Sequence, residues 1–178
     1  YDAEMVSLVA LMQNLGRLVV QYHYPDEMRQ VRRLMLPQPG TQDGEPDDPG
    51  LSEQAAAFAV LGGDIEAMGL AVARWWGMDD AVVHMLRRLP LGLPVRTPVG
   101  DDDVLRLVAS AANEAIDTLA LPASRQGAAI ERVAQRYART LELTAKDLIT
   151  AMQASGRSDP PPLTDRTGAA EATPALQR

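Results

Sequence analysis

The chain has 178 residues, of which 46% are apolar, and it carries a formal net charge of −7 and no cysteine. This length suits one domain with a sizeable core, and the missing cysteines exclude disulfides, thiolate catalysis and cysteine-bound zinc. The acidic net charge argues against nucleic-acid binding. No apolar run approaches the roughly 18–20 residues of a membrane span. We therefore expect a cytoplasmic protein that binds neither nucleic acid nor membrane.

The first predicted element is one long helix centred on residues 11–20. Its apolar residues repeat at the spacing of a helical stripe, at Met5, Leu8, Val9, Met12, Leu15 and Val19. Because so little of this helix is polar, we expect it in the middle of the domain. Gln13, Asn14 and Arg17 form a narrow polar strip on it. Since buried polar groups need partners, the strip is predicted to line a wet groove or to bond to neighbouring helices.

Capping residues and helix breakers divide the next part of the chain. Four helices are predicted, over residues 25–35, 53–61, 64–76 and 79–89. Ser52, Asp64 and Asp79 can each accept hydrogen bonds from the first turn of the helix that follows. Between the first two helices, residues 37–50 hold Pro, Gly or an acidic residue at nearly every position, which predicts an exposed acidic loop.

Three more helices are predicted after a proline-rich connection. The first runs from 101 to 119, and its expected core face consists of Leu105, Val108, Ala112, Ile116 and Leu119. Ser124 and Thr144 are the predicted caps of the other two helices. Residues 155–178 lack an apolar period and contain three consecutive prolines, which indicates a flexible tail. Because no segment alternates like a strand, the pattern predicts an all-α bundle over residues 1–154, followed by that tail.

In the central helix, Gln13 and Asn14 are followed by the Leu-Gly-Arg triplet at 15–17. This pattern resembles the central helix of the HDOD domain, a regulatory relative of the HD phosphohydrolases, and Gln13 and Asn14 stand where the enzymes of that family carry His and Asp. Residues 63–78 resemble a second family segment, with Ile65 at the position of another histidine, and residues 108–113 resemble the family's late helix. The resemblance implies an HD-like multi-helix bundle. Because the family has another group of helices before its central one, it also implies the C-terminal part of a larger HDOD domain.

The residues themselves offer little for phosphodiester hydrolysis. An HD-type enzyme needs several His and Asp side chains around one or two metal ions, which activate water. This chain has only two histidines, His23 and His84, far apart in the sequence. The amides of Gln13 and Asn14 are poor substitutes for imidazole and carboxylate ligands. We therefore predict no catalytic residue, no metal and no cofactor.

The resemblance thus implies a non-catalytic signal-transduction module that acts through contacts with proteins or ligands. Its expected partners are other signalling domains, of the receiver, kinase or nucleotide-signalling type. Gln13, Asn14 and Arg17 would line a degenerate pocket in such a module. Two alternatives stay open: an HD-type metal-dependent phosphohydrolase acting on a cyclic nucleotide, and a nucleotide sensor without turnover.

Overall fold

A computed structural model describes residues 2–38 and 48–155, and in these ranges the chain forms nine α-helices, one 3-10 turn (Thr118–Ala120) and no strand. The helices are α1 (Ala3–Met12), α2 (Leu15–His23), α3 (Pro25–Met35), α4 (Glu53–Leu61), α5 (Ile65–Trp75), α6 (Asp80–Met85), α7 (Asp101–Asp117), α8 (Ala123–Leu141) and α9 (Ala145–Ser155). The all-α prediction is confirmed. Most of the predicted acidic loop (39–47) and nearly all of the predicted tail (156–178) lie outside the described residues, and Ser155 is the last residue of α9.

Local capping signals identify most of the helix starts. Four predicted caps accept a hydrogen bond from a backbone amide of the following turn: Ser52 (3.2 Å), Asp64 (2.7 Å), Asp79 (2.9 Å) and Thr144 (3.2 Å). The prediction for Ser124 is wrong, because α8 begins at Ala123 and no side chain caps it. Pro122 holds the extended backbone before this helix and places Ser124 inside its first turn.

The first predicted helix is broken, so the prediction of one continuous helix is wrong. α1 ends at Met12, α2 begins at Leu15, and the two helix axes are bent by 45°. At the break, the Asn14 side chain donates to the carbonyl oxygen of Ala10 at 3.0 Å, and such side-chain bonds compete with regular helical bonding. The predicted stripe is divided accordingly. Leu15 is buried, whereas Leu8 is 52% exposed.

The predicted core face of α7 is also wrong. Ala112, Ile116 and Leu119 are exposed, Ile116 by 50%, and Leu105 and Val108 are only half-buried. The buried apolar side chains of this helix belong to Leu107, Ala109, Ala111 and Ala115. Because α7 is apolar on more than one side, its periodicity does not decide which side faces the core.

The bend between α1 and α2 joins two parts of the bundle. α2 packs against α3 and α5, and α3 packs against α4, whereas α1 packs against α7, which also contacts α6 and α8. The backbones of α2 and α5 meet where Gly16 lies against Ile65 and Gly69. The residues at the bend therefore lie between α5, α6 and α7.

No single helix in the described ranges has the length and apolar character to cross a membrane, although the bent pairs α1–α2 and α4–α5 meet those two criteria together.

Candidate functional site

Gln13 lies at the bend and is buried, with 6% of its surface exposed. Its amide nitrogen donates to the carbonyl oxygens of Met85 at 3.0 Å and Arg106 at 3.3 Å, and lies 3.3 Å from the Ser110 hydroxyl. Its amide oxygen accepts from the Asn113 side chain at 3.1 Å. Every polar atom of this side chain therefore has a partner on another helix or on the end of α6.

Asn14 continues the same hydrogen-bond network toward solvent. Its nitrogen donates to the Asn113 side-chain oxygen at 2.9 Å, in addition to its bond with Ala10. Its oxygen accepts from the guanidinium groups of Arg17, at 3.1 Å, and Arg88. The amide thus links the buried part of the network to two arginines.

Arg17 is held by two carboxylates. Its guanidinium makes a two-pronged contact with Glu53 at 2.8 and 2.9 Å and donates to Asp117 at 3.0 Å. Arg88 donates to the same Asp117 carboxylate at 2.6 Å. Partial burial alone would lower the pKa of Arg17, but the hydrogen bond and charge of Glu53, with the charge of Asp117, raise it above its usual value. Two arginines and two carboxylates balance each other in charge here.

We call this network the polar cluster. Its members are Gln13, Asn14, Arg17, Glu53, Arg88, Ser110, Asn113 and Asp117. The sequence identified the first three as neighbours, and the structure keeps them together. The sequence did not identify the other five members as their partners, although Ser110 and Asn113 belong to the segment 108–113 that resembles the family's late helix.

The two histidines and Ile65 lie in different surroundings. Ile65 is buried in an apolar cluster with Val20. His23 ends α2, and the exposed His84 has its Nε2 atom 3.2 Å from a carboxylate oxygen of Asp103. Within the described ranges, no three His, Asp or Glu side chains are grouped so that they could hold a metal ion. The residues present there do not fit the metal centre of an HD-type enzyme.

A small crevice touches the buried side of the polar cluster. Its volume of about 10 Å³ is near the lower limit for one water molecule. It is lined by Met12, Gln13, Leu15, Gly16, Glu66, Gly69, Leu70 and Leu86. Burial raises the pKa of Glu66, whose carboxylate accepts from the backbone amide of Arg88 at 2.8 Å. A nucleotide needs a pocket of several hundred Å³, so this crevice does not hold one.

A second buried network fixes α8 against α7 and was not predicted from the sequence. Tyr137 and Arg136 both donate to the Glu114 carboxylate at 2.7 Å, and Arg136 also donates to the carbonyl oxygen of Pro90 at 2.6 Å. Burial, and then the hydrogen bond to Glu114, raise the pKa of Tyr137. These contacts connect two helices and a loop, and they explain why polar groups occur in this part of the core.

Comparisons with protein-family models, with curated proteins and with solved structures find no match to this chain. Amides and paired ions that bond to one another connect the helices at this site.

Proposed function

We propose that this chain is a non-catalytic signal-transduction module of the HDOD type, which acts through contacts with other signalling domains. The expected partners are domains of the receiver, kinase or nucleotide-signalling type. The proposal combines the sequence resemblance with the way in which the residues at the family's His-Asp positions are used.

One observation carries the proposal. By the sequence resemblance, Gln13 and Asn14 correspond to those two positions. Their amide groups bond to Ser110 and Asn113 of α7 and to backbone carbonyls. In an HD-type enzyme, the side chains at these positions would instead bind metal ions. Here they join the bend between α1 and α2 to α7. We infer that the former catalytic positions now have a structural role.

The test of this proposal is a metal and turnover assay on the purified chain. Bound manganese would be measured by elemental analysis, and hydrolysis of a generic phosphodiester and of cyclic dinucleotides would be followed with manganese added. We expect no stoichiometric metal and no turnover above the protein-free rate, because within residues 2–38 and 48–155 no three His, Asp or Glu side chains are grouped to hold the metal that lowers the pKa of bound water.

A control variant makes a positive result informative. Asn14→Ala removes a member of the polar cluster, whereas His84→Ala removes an exposed imidazole outside it. Stoichiometric manganese with turnover that is lost in Asn14→Ala and kept in His84→Ala would contradict the proposal and favour the phosphohydrolase. Saturable binding of a cyclic dinucleotide without turnover would favour the nucleotide sensor instead.

A further inference from the structure

Residues 87–90 follow the short helix α6 and are held by side chains of α5, α7 and α8. Within the described ranges, no backbone-to-backbone hydrogen bond involves Arg88, Leu89 or Pro90. Backbone groups that leave water need other partners, and here side chains from distant parts of the chain provide them. We call the segment 87–90 the strap.

The amides of the strap donate to side chains on two helices. The carboxylate of Glu66 on α5 accepts from the amide of Arg88 at 2.8 Å. The hydroxyl of Ser110 on α7 accepts from the amide of Leu89 at 3.2 Å. That hydroxyl also lies 3.3 Å from the amide nitrogen of Gln13. One side chain therefore joins the strap to the bend between α1 and α2.

The carbonyl oxygens of the strap accept from two arginines on different helices. Arg106 of α7 donates to the carbonyl oxygens of Arg87 at 2.7 Å and Arg88 at 3.3 Å. Arg136 of α8 donates to the carbonyl oxygen of Pro90 at 2.6 Å. Neighbouring backbone groups of the strap are thus held by separate helices.

The strap also contacts both polar networks of the core. Arg88 donates to Asp117 at 2.6 Å and to Asn14, and thus belongs to the polar cluster. Leu89 packs against the apolar cluster that contains Tyr137. The hydroxyl of Tyr137 donates to Glu114 in the second network, whose arginine holds the end of the strap.

The position of the strap depends on all of these bonds together. A helix as short as α6 is not stable by itself in water, so it cannot fix the segment that follows it. Hydrogen bonds in a side-chain network reinforce one another, and the loss of one weakens the others. Release of the strap at one end should therefore loosen it at the other.

We propose that the strap is a conformational coupling element, which transmits displacement between α8 and the polar cluster. A change that separates Arg136 from Pro90 would loosen the amides of Arg88 and Leu89, and with them the contacts to Gln13 and Asn14. The inference goes beyond the proposed function and does not depend on it, because the strap would couple the two networks in a catalytic chain as well.

The first experiment measures amide hydrogen exchange by nuclear magnetic resonance on the full chain. Arg136→Met removes the bond to Pro90 but replaces no partner of the amides of Arg88 and Leu89. These two amides should exchange at least about tenfold faster than in the parent, because the strap opens locally. The amide of Val31, in the separate apolar cluster around α3, reports global unfolding and should accelerate less.

Arg132→Met is the matched control for this experiment. It makes the same substitution at an exposed arginine one turn earlier on α8. It should change the exchange of Arg88 and Leu89 by less than about threefold. If Arg136→Met does not fold, Arg136→Lys takes its place, because lysine keeps a positive charge beside Glu114 and lacks the fork that also reaches Pro90.

The second experiment is a double-mutant cycle in urea unfolding, with Glu66→Met and Arg136→Met. Glu66 bonds to Arg88 and Arg136 bonds to Pro90, so the two side chains meet only through the strap. The double variant should raise the unfolding equilibrium constant at least about threefold less than the product of the single effects, because either substitution alone already releases the strap. Glu66→Met with Arg132→Met should be multiplicative within about twofold.

Two results would overturn the inference. Exchange at Arg88 and Leu89 that is no faster in Arg136→Met than in Arg132→Met would show that the two ends of the strap are independent. Multiplicative effects of Glu66→Met and Arg136→Met would show the same. These outcomes are separate from those for the proposed function, because metal-dependent turnover would refute the non-catalytic module whether or not the strap couples the two networks.

Discussion

Replacing Gly16 by alanine should force α2 and α5 apart. The added Cβ would lie 1.9 Å from the carbonyl oxygen of Ile65, although real Cβ contacts essentially never fall below 3.0 Å. To reach even that limit, the distance would have to grow by 1.1 Å. The obstacle is backbone, so rotation of a side chain cannot relieve the clash. Overpacking of this kind costs about 1–3 kcal/mol and occasionally more, and we expect about 3 kcal/mol here. That is a large part of the roughly 5–15 kcal/mol by which domains are stable.

The assay is urea unfolding followed by circular dichroism, which gives the free energy of unfolding. Gly127→Ala is the control, because it makes the same change inside α8, where an added Cβ meets nothing within 4 Å. This control should be more stable than the parent by about 0.5–1 kcal/mol, since alanine favours a helix over glycine. If Gly16→Ala unfolds like the parent or like Gly127→Ala, the backbones of α2 and α5 are not in contact and the reasoning is refuted.

Three further predictions use the same unfolding assay. Leu15→Ala should lower the free energy of unfolding by about 2–5 kcal/mol because Leu15 is buried, whereas Leu18→Ala, at a residue that is 51% exposed, should lower it by less than about 1 kcal/mol. Asn113→Ala should cost about 1–3 kcal/mol, because the buried amide oxygen of Gln13 loses its shorter hydrogen bond and keeps only the Ser110 hydroxyl at 3.5 Å. Burial and a hydrogen bond to a carboxylate raise the pKa of Tyr137 in the folded chain, so above pH about 10 the unfolded chain releases this proton first and stability falls as pH rises. Tyr137→Phe should therefore lose less stability than the parent between neutral and strongly alkaline pH.

Each of these three predictions has its own contradicting result. Equal losses in Leu15→Ala and Leu18→Ala would mean that α2 is rotated from its described position. Asn113→Ala with parental stability would mean that water or another group satisfies Gln13. Parallel alkaline profiles for Tyr137→Phe and the parent would mean that the tyrosine is accessible enough to ionise in the folded chain.

Apart from the break between α1 and α2, the sequence determined the helices and most of their starts, because these depend on neighbouring residues. Ser52, Asp64, Asp79 and Thr144 each bond to an amide two or three positions further along the chain. Bonds of that range follow from residue type and spacing alone. The sequence also identified Gln13, Asn14 and Arg17 as one group, because they lie within five positions of one another.

Only the tertiary structure decided what those three residues contact and which helix faces are buried. Ser110, Asn113 and Asp117 lie about 100 positions from Gln13, Asn14 and Arg17, and no local pattern specifies such pairs. Leu107 and Ile116 are equally apolar candidates for the core of α7, but the other helices cover the first and leave the second exposed. Periodicity reports where apolar residues lie on a helix, whereas burial depends on which neighbours pack against it, and those neighbours come from distant parts of the chain.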